Sequence, residues 1–377
     1  MKNEYSLSRR TALKAGVLLA GTTLLNLKNA DALPLGVAKT PALSTDEIAA
    51  IEAAIGKKGT YKDAEATYTI PLPRNDLKMT LKGEPVPIPF GFGGWVSIKK
   101  TVDGKSAVIM SDCVLLQEEV NPLMSAAQAA GLEVGAVHNH FFYEEPRIFY
   151  MHIHGMGTPA ELAKKYAQAI SSTKIAPQNQ PPAGAPPAKT GKDIFDVTEL
   201  NSIIKYEAAI NGPTIKYTIG RADLTVMAMG AEMTTNIGLN TWAAFTGTME
   251  RAHIAGDVAM LDTEVNAVIR TLRANNLEVV AVHNHMLDDK PHMIFLHYLG
   301  TGPALELAKG FRAALDQLGK KQSGMGVMKM KDNKTTKEFD TVKTFREIKT
   351  KISHDIQGMT FEQLRDYLNR TKIKAQS

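Results

Sequence analysis

The sequence has 377 residues, with 44 Lys and Arg against 39 Asp and Glu and a formal net charge of +5. Its single cysteine, Cys113, excludes a disulfide within the chain, and its length is sufficient for two domains with cores of their own. Beyond the N-terminal region, no stretch reaches the roughly 20 consecutive apolar residues that a transmembrane helix needs, so we expect no membrane span there.

The N-terminus has the pattern of an export signal. Arg9 and Arg10 precede a weakly apolar run over residues 15–27, and Ala30-Asp31-Ala32 offers a small-x-small cleavage site. This pattern is typical of a cleaved signal peptide, and the arginine pair indicates the twin-arginine route. A membrane anchor is the alternative, but the apolar run is short and contains Gly and Thr. We expect residues 1–32 to be removed and the mature protein to be periplasmic or extracellular.

Removal of this segment changes the charge of the protein. Residues 1–32 hold five of the 44 basic and two of the 39 acidic residues, which leaves 39 against 37 in the mature chain. A nearly neutral chain lacks the basic surface of a nucleic-acid-binding protein. We therefore expect no nucleic-acid partner, and an unidentified small molecule or envelope component as the ligand.

The predicted elements after the signal alternate between helices and strands. Capping residues near Ser44 and Thr45 predict a helix that ends at Ile55. Patterns of alternating apolar residues predict the strands, and Pro159 predicts the start of the last helix. In chain order, the elements that follow the first helix are strands over 67–72, 77–81, 94–99 and 107–115, a helix over 118–130, strands over 133–142 and 147–154, and a helix over 159–170.

The sequence is a tandem duplication with an offset of 145 residues. Residues 133–140 read Glu-Val-Gly-Ala-Val-His-Asn-His, and residues 278–285 read Glu-Val-Val-Ala-Val-His-Asn-His. Upstream the match continues with small gaps, and there Tyr-Thr-Ile at 68–70 resembles Tyr-Thr-Ile at 217–219. Matches of this number in one register predict two copies of one domain. Further matched pairs are Asp112 with Asp257, His152 with His297, and Trp95 with Trp242.

The repeat predicts the domain organisation and the fold class. We expect a first repeat domain over 33–175, a Pro-rich linker over 176–190 and a second repeat domain over 191–321. Residues 322–377 are expected to be a flexible segment followed by a C-terminal helix over 345–374. The order of elements indicates an α+β fold, in which helices cover a mostly antiparallel sheet in each copy.

Histidines are concentrated on the repeated strand pair. Because alternate residues of a strand project from the same face, antiparallel pairing of His138 near His152 would bring the histidines of one copy together. Neutral imidazole is a common metal ligand, so the set predicts a site for zinc, or for copper or iron. The candidate ligands are His138, His140, His152 and His154 in the first copy and His283, His285 and His297 in the second.

Carboxylates near these histidines are the candidate catalytic groups. Glu144 and Glu145 lie between the histidine pairs, where a carboxylate could bind the ion, orient an imidazole or act as a base. The repeated Asp112 and Asp257 are interpreted as carboxylates near helix starts, which often only cap. Whether the protein is an enzyme stays open at this point.

Several of these motifs carry a resemblance to a known family. The repeated Glu-Val-x-Ala-Val-His-Asn-His element, followed by Pro146-Arg147 and Phe149-Tyr150-Met151-His152, resembles the LppY/LpqO family of bacterial envelope proteins. The segment from Trp242 to Asp257 is similar as well. The resemblance covers nearly all of the mature chain as two copies of the family domain. It implies an envelope location and no particular activity, and the acylated cysteine of the lipoprotein members is absent near the predicted cleavage site.

Two hypotheses follow for function. The leading one is a histidine-rich metal-binding protein, with metal-dependent hydrolysis as its reaction. The alternative is a non-enzymatic ligand-binding or structural module in which the histidines only form hydrogen bonds. Imidazole nitrogens that converge around an open position favour the first hypothesis, and histidines on separate faces favour the second.

Overall fold

The computed structural model describes residues 40–182, 184, 187–320, 350 and 352–371. The predicted signal peptide and residues 322–337 lie outside the described residues. Both repeats belong to one compact unit that ends at Lys320. The predicted C-terminal helix belongs to a second unit, where residues 352–356 are helical and a separate helix spans Phe361–Thr371. Within the described part of the chain, no helix combines the length and the apolar character that a membrane crossing requires.

The two repeats share one order of elements, except that the second begins with an additional short helix and lacks the short strand of the first at Glu144–Glu145. The first contains α1 (Thr45–Ile55), β1 (Thr60–Lys62), β2 (Thr67–Pro73), β3 (Met79–Leu81), β4 (Glu84–Val86), β5 (Gly93–Lys100), β6 (Ala107–Leu116), α2 (Gln117–Ala129), β7 (Glu133–His138), β8 (Glu144–Glu145), β9 (Ile148–Gly157) and α3 (Pro159–Ile170). The second contains α4 (Gly191–Ile194), α5 (Val197–Ile204), β10 (Ala209–Asn211), β11 (Thr214–Gly220), β12 (Val226–Ala228), β13 (Ala231–Met233), β14 (Asn240–Gly247), β15 (Ala252–Leu261), α6 (Val265–Ala274), β16 (Glu278–His283), β17 (Met293–Gly302) and α7 (Ala304–Leu315).

Each repeat forms a six-stranded antiparallel sheet. The strand orders are β1-β2-β5-β6-β9-β7 and β10-β11-β14-β15-β17-β16. In the first repeat α1, α2 and α3 pack on one face of the sheet, and in the second α5, α6 and α7 do so. The predicted α+β class and the tandem duplication are therefore confirmed.

Strand β6 contributes side chains to hydrophobic cores on both of its faces. Ile109 and Cys113 point to the core beneath the helices. Val108 and Met110, with the opposite parity, pack against apolar residues of the second repeat, and so does Val114. Because successive side chains point to opposite faces, one strand can join the helical core of its own repeat to the other repeat.

The faces of the two sheets that carry no helices meet each other. One shared core combines Phe90, Phe141 and Tyr150 of the first repeat with Trp242 and Leu299 of the second. Buried apolar area is the main favourable term in folding, so these shared cores hold the repeats together. The histidine-bearing strands β7 and β16 lie at this interface, where Asn284 donates a hydrogen bond to the Gly135 carbonyl across 3.3 Å.

Strand pairing corrects one sequence match. Pro71 of β2 lies opposite Trp95, whereas Thr218 of β11 lies opposite Trp242. Since the two tryptophans are equivalent, β2 and β11 are related by an offset of 147, and the match of 68–70 with 217–219 is wrong by two residues. A shift of two keeps every side chain on its own face, so the apolar pattern cannot reveal it. The correct register makes Thr69 and Lys216 equivalent.

Candidate metal centre

One row of side chains crosses each sheet at the interface. In the first repeat Asp112 of β6 lies opposite both Trp95 of β5 and His152 of β9. In the second repeat Asp257 holds the same position between Trp242 and His297. Residues that are directly opposite on antiparallel strands share a face. Each sheet therefore presents a tryptophan, a carboxyl group and an imidazole to the other repeat.

The remaining histidines lie at the ends of β7 and β16. In β7 a bulge shifts the pairing at Gly135, so that Ala136 lies opposite His152 and His138 lies opposite Tyr150. A β-bulge commonly re-aims the side chains that follow it. The His138 and His152 rings nevertheless approach to a centroid distance of 4.8 Å, as the sequence predicted. His140 lies beyond the strand, and its Nε2 is 3.2 Å from His138 Nε2.

Six histidines converge from both repeats into one cluster. In each of the three closest histidine pairs, one ring comes from the first repeat and the other from the second. The rings stack at centroid distances of 3.7 Å for His138 with His283 and 3.7 Å for His140 with His297, and His152 lies 4.0 Å from His285. We call these residues the histidine cluster, and a pseudo-two-fold relation exchanges its two halves. The sequence expected the histidines to gather within one copy, but it did not predict that the copies would share them.

The hydrogen bonds of the cluster orient its imidazoles. His152 Nδ1 donates to the Ser111 carbonyl at 3.2 Å, and His297 Nδ1 donates to the Gly256 carbonyl at 3.1 Å. A carbonyl oxygen only accepts, so Nδ1 holds the proton and Nε2 keeps a lone pair. This is the arrangement that metal-binding histidines have, with the second nitrogen fixed by a backbone carbonyl. His283 and His285 bond in the same way, to the carbonyls of Asn284 and Gly238.

The free nitrogens fit a metal ion. Nε2 is buried and has no hydrogen-bond partner in four of the histidines, namely His152, His283, His285 and His297. The 3.2 Å between His138 Nε2 and His140 Nε2 is close to the roughly 3.3 Å that separates two ligands of a tetrahedral zinc with bonds of about 2.0 Å. Three groups have donor atoms within 4.8 Å of one another: His138, His140 and His297; His138, His152 and His283; and Asp257, His283 and His285.

Burial determines the protonation of the cluster. Burial first, and then the neighbouring imidazoles, hold the pKa of His138, His140, His152 and His297 well below 6.5. Burial also lowers the pKa of His283 to about 4. These imidazoles are therefore neutral near pH 7, which is the form that binds metals.

The carboxyl groups of the two rows lie beside the cluster. Asp112 Oδ2 is 3.7 Å from His140 Nε2, and Asp257 Oδ2 is 3.4 Å from His285 Nε2. Burial, and then the nearby Asp257, raise the pKa of Asp112 to about 8. A bound cation would act in the opposite direction and favour the ionised form of Asp112.

A cavity of about 250 Å³ opens on the cluster. Lys216 lies on its wall, with Nζ 4.4 Å from the centroid of the Trp242 ring. Burial lowers the pKa of this lysine, while Asp112 and Asp257 act in the opposite direction. Other lining residues are Thr69, Trp95, Trp242, His140, His285 and His297.

Three sequence candidates lie elsewhere. Glu144 accepts a hydrogen bond from the Ile148 amide within its own hairpin, and Glu145 pairs with Thr80 in a separate small sheet. Neither lines the cavity. His154 Nε2 lies 3.0 Å from a carboxylate oxygen of Glu133, its direct neighbour on β7, and His154 is outside the histidine cluster. The expectation that all four histidines of the first copy crowd together is therefore wrong for His154.

Sequence reasoning missed three residues of the site. Asp112 and Asp257 were interpreted as helix caps. The capping groups are instead Glu119 and Glu264. They accept hydrogen bonds from the Leu116 and Leu261 amides, respectively. The signal was present, since the aspartates recur at the same offset as the histidines and interrupt apolar strands. Lys216 has no such signal, because its equivalent is a threonine.

Comparisons with known proteins place the repeats in one family. The family described as Domain of Unknown Function (DUF1259) matches residues 49–172 and 198–317. None of the curated proteins matches the chain.

Solved structures offer only distant likenesses. The double ringed trimeric shell protein MSM0271 from the RMM microcompartment is 10% identical, over 66% of this chain and 93% of that one, with a TM-score of 0.17. The trimeric bacterial microcompartment shell protein PduB is 12% identical over 70% and 94%, with a TM-score of 0.19. EtuB from Clostridium kluyveri is 8% identical over 69% and 91%, with a TM-score of 0.16. Likenesses of this size say nothing about function.

Proposed function

The chain belongs to the family described as Domain of Unknown Function (DUF1259) through both of its repeats, and we propose that it is a metal-binding protein whose two repeats share one centre. The ligands come from the histidine cluster, with Asp112 and Asp257 as the carboxylates beside it. Imidazole nitrogen suits zinc, copper and iron, so these are the ions that we propose. The export motif and the family resemblance support an envelope location for this activity.

One observation carries the proposal. Four buried imidazoles present an Nε2 lone pair that no hydrogen-bond donor meets among the described residues. A buried polar atom without a partner costs about 1–3 kcal/mol, and native proteins contain few of them. Two of these four nitrogens at a time lie in one group whose donor atoms are within 4.8 Å of one another, so a single cation could accept two of the lone pairs together.

Metal analysis tests the proposal directly. Protein purified without chelator is expected to contain metal by elemental analysis, or to take up zinc or copper after dialysis. His140→Ala and His285→Ala are expected to weaken metal binding at least tenfold. His292→Ala is the matched control, because this histidine lies in a turn, is about half exposed and contacts Asp289 instead of the cluster. Wild-type protein that neither contains nor takes up metal contradicts the proposal.

Metal-dependent hydrolysis is the reaction that this site supports. The open cavity gives a small substrate and a water molecule access to the cluster. Asp112 lines that cavity 3.7 Å from His140 Nε2, and a bound cation would favour its ionised form, so it replaces Glu144 and Glu145 as our candidate for the group that takes a proton from water. Ester and phosphoester panels, assayed with metal-loaded and metal-free protein, test this. Hydrolysis that Asp112→Asn reduces at least a hundredfold while the metal stays bound is the expected result.

A structural module is the second candidate. The stacked histidine pairs join the two repeats, so they could stabilise this interface without any ion. In that case His140→Ala and His285→Ala would lower the free energy of unfolding relative to the wild type. The size of that loss would be the same whether or not zinc is added. Under the metal proposal, zinc stabilises the wild type and does not stabilise these variants.

A further inference from the structure

The cavity beside the histidine cluster is nearly symmetric. Most of its lining residues come in equivalent pairs from the two repeats, including Trp95 with Trp242, Asp112 with Asp257 and His140 with His285. A symmetric site would present identical chemistry to both sides of the axis. The symmetry is broken where Thr69 of β2 is equivalent to Lys216 of β11.

The two residues at this position differ in their hydrogen bonds. The Thr69 hydroxyl is 2.8 Å from Ser97 Oγ and 3.2 Å from the Asn236 carbonyl, so its hydrogen bonds are made within the protein. The Lys216 ammonium contacts the face of the Trp242 ring. Among the residues that the structure describes, it has neither a hydrogen bond nor an ion pair with any acceptor. The N–H groups of this ammonium, at the wall of the cavity, are therefore available to donate hydrogen bonds to a ligand.

The charges of the site favour an anion as that ligand. Asp112 and Asp257 line the same cavity, and together these two carboxyl groups carry two negative charges at most. A divalent cation would balance the two carboxylates and leave the Lys216 charge uncompensated. Charged groups away from bulk water are normally paired, and ammonium groups bind carboxylate and phosphate oxygens.

We propose that the cavity binds a small oxyanion, a carboxylate or a phosphate-type group, held between the Lys216 ammonium and the metal of the shared centre. This inference rests on the proposed metal-binding function. The cavity of about 250 Å³ is smaller than the roughly 300–1,000 Å³ of pockets for drug-sized ligands, so the anion has only a few heavy atoms or is the end of a larger molecule. Because only one repeat supplies a lysine, one anion binds per chain.

Anion titration of the metal-loaded protein tests the inference. The probes are inorganic phosphate and acetate, with acetamide as the neutral match for acetate. Full-length protein is loaded with Co²⁺, and binding is followed by the visible absorption of the ion and by calorimetry. We expect phosphate or acetate to bind at one per chain and to change the Co²⁺ spectrum, and acetamide to do neither. Whichever of phosphate and acetate binds more tightly identifies the oxyanion class.

Variants at one position separate this inference from the metal-binding function. Lys216→Met removes the charge and keeps the length, and Lys216→Thr supplies the residue that the first repeat has. Both are expected to weaken anion binding at least tenfold with the Co²⁺ content unchanged. Lys105→Met is the control, because it removes the same charge from a side chain that is 84% exposed and outside this cavity.

The outcomes distinguish the two proposals. If the wild type binds Co²⁺ but no anion, or if both Lys216 variants bind the anion as tightly as the wild type, this inference is overturned and the metal site stands. If the wild type binds no metal, both proposals are overturned. Loss of anion binding in the Lys105 variant as well would also overturn this inference, since the weaker binding would then reflect the lower net charge of the protein and not contact with Lys216.

Discussion

The imidazole rings of His138 and His283 stack with their centroids 3.7 Å apart, although 145 residues separate them in the chain. Each residue ends the equivalent strand of its own repeat, β7 or β16. Their contact lies where the pseudo-two-fold relation exchanges the repeats. The histidine cluster at the interface is therefore composite, with three of its six histidines from each repeat.

A composite centre predicts equal effects of mutations in either repeat. His152→Ala and His297→Ala are each expected to weaken zinc binding at least tenfold, because each removes a buried nitrogen from the same cluster. The loss in the double variant should differ from the sum of the two single losses, since the two residues act on one shared site. Metal competition with a chelating dye measures the affinities.

The control for this experiment is His154→Ala. His154 is buried on the same strand as His152 but pairs with Glu133, so its loss should leave the zinc affinity unchanged. Two separate sites would give a different result. Each single variant would then lose about half of the bound zinc and retain the remainder at full affinity.

Gly238 is expected to be required at the wall of the centre. It has a φ of +100°, and a Cβ there would lie 3.2 Å from the Trp95 ring and 3.5 Å from His285 Nδ1. Gly238→Ala should cost about 1–2 kcal/mol of backbone strain and should also weaken zinc binding by displacing His285. Gly56→Ala is the matched control, since its φ is +76° and nothing lies within 4 Å. Equal zinc affinity in both variants would refute the role assigned to Gly238.

Buried arginines at equivalent positions support the two repeats. Arg74 is fully buried and donates to Asp76, to Glu119 at 2.7 Å and to the Val114 carbonyl. Arg74→Ala leaves these acceptors without their partner, so we expect a loss of about 3–5 kcal/mol in the free energy of unfolding. Chemical denaturation measures it.

A surface arginine supplies the comparison. Arg251 pairs with Glu84 but is 62% exposed, so Arg251→Ala should cost less than about 1 kcal/mol. Similar losses in the free energy of unfolding for the Arg251 and Arg74 variants would show that burial does not determine how much these ion pairs stabilise the protein. Arg221 is the equivalent of Arg74 and contacts Asp223 and Glu264, so its replacement should be as costly.

Cys113 is expected to be unreactive in the folded protein. It is fully buried in the core beneath the helices, and burial raises the pKa of its thiol to about 12. Because the thiolate is the reactive form, a thiol reagent at pH 8 should label the native protein at least a hundredfold more slowly than the denatured protein. Rapid labelling of the native protein would mean that this core opens readily.

The sequence alone determined the features that depend on local pattern and repetition. The fold class follows from alternating strand patterns and from helix starts such as Ser44, whose predicted cap is present in α1. The duplication follows from His138-Asn139-His140 and its copy at His283-Asn284-His285. Six of the seven candidate ligands predicted in this way lie in the histidine cluster.

Only the tertiary structure decided how the two copies combine. Strand β6 is buried on both faces, so its apolar pattern cannot show which face meets the helices and which meets the other repeat. That choice brings Asp112 to the cluster instead of to a helix start. The role of Lys216 depends on pairing between β11 and β14, where a shift of two residues leaves the pattern unchanged. Contacts between distant segments depend on packing complementarity over whole surfaces, and the local pattern of side chains does not contain that information.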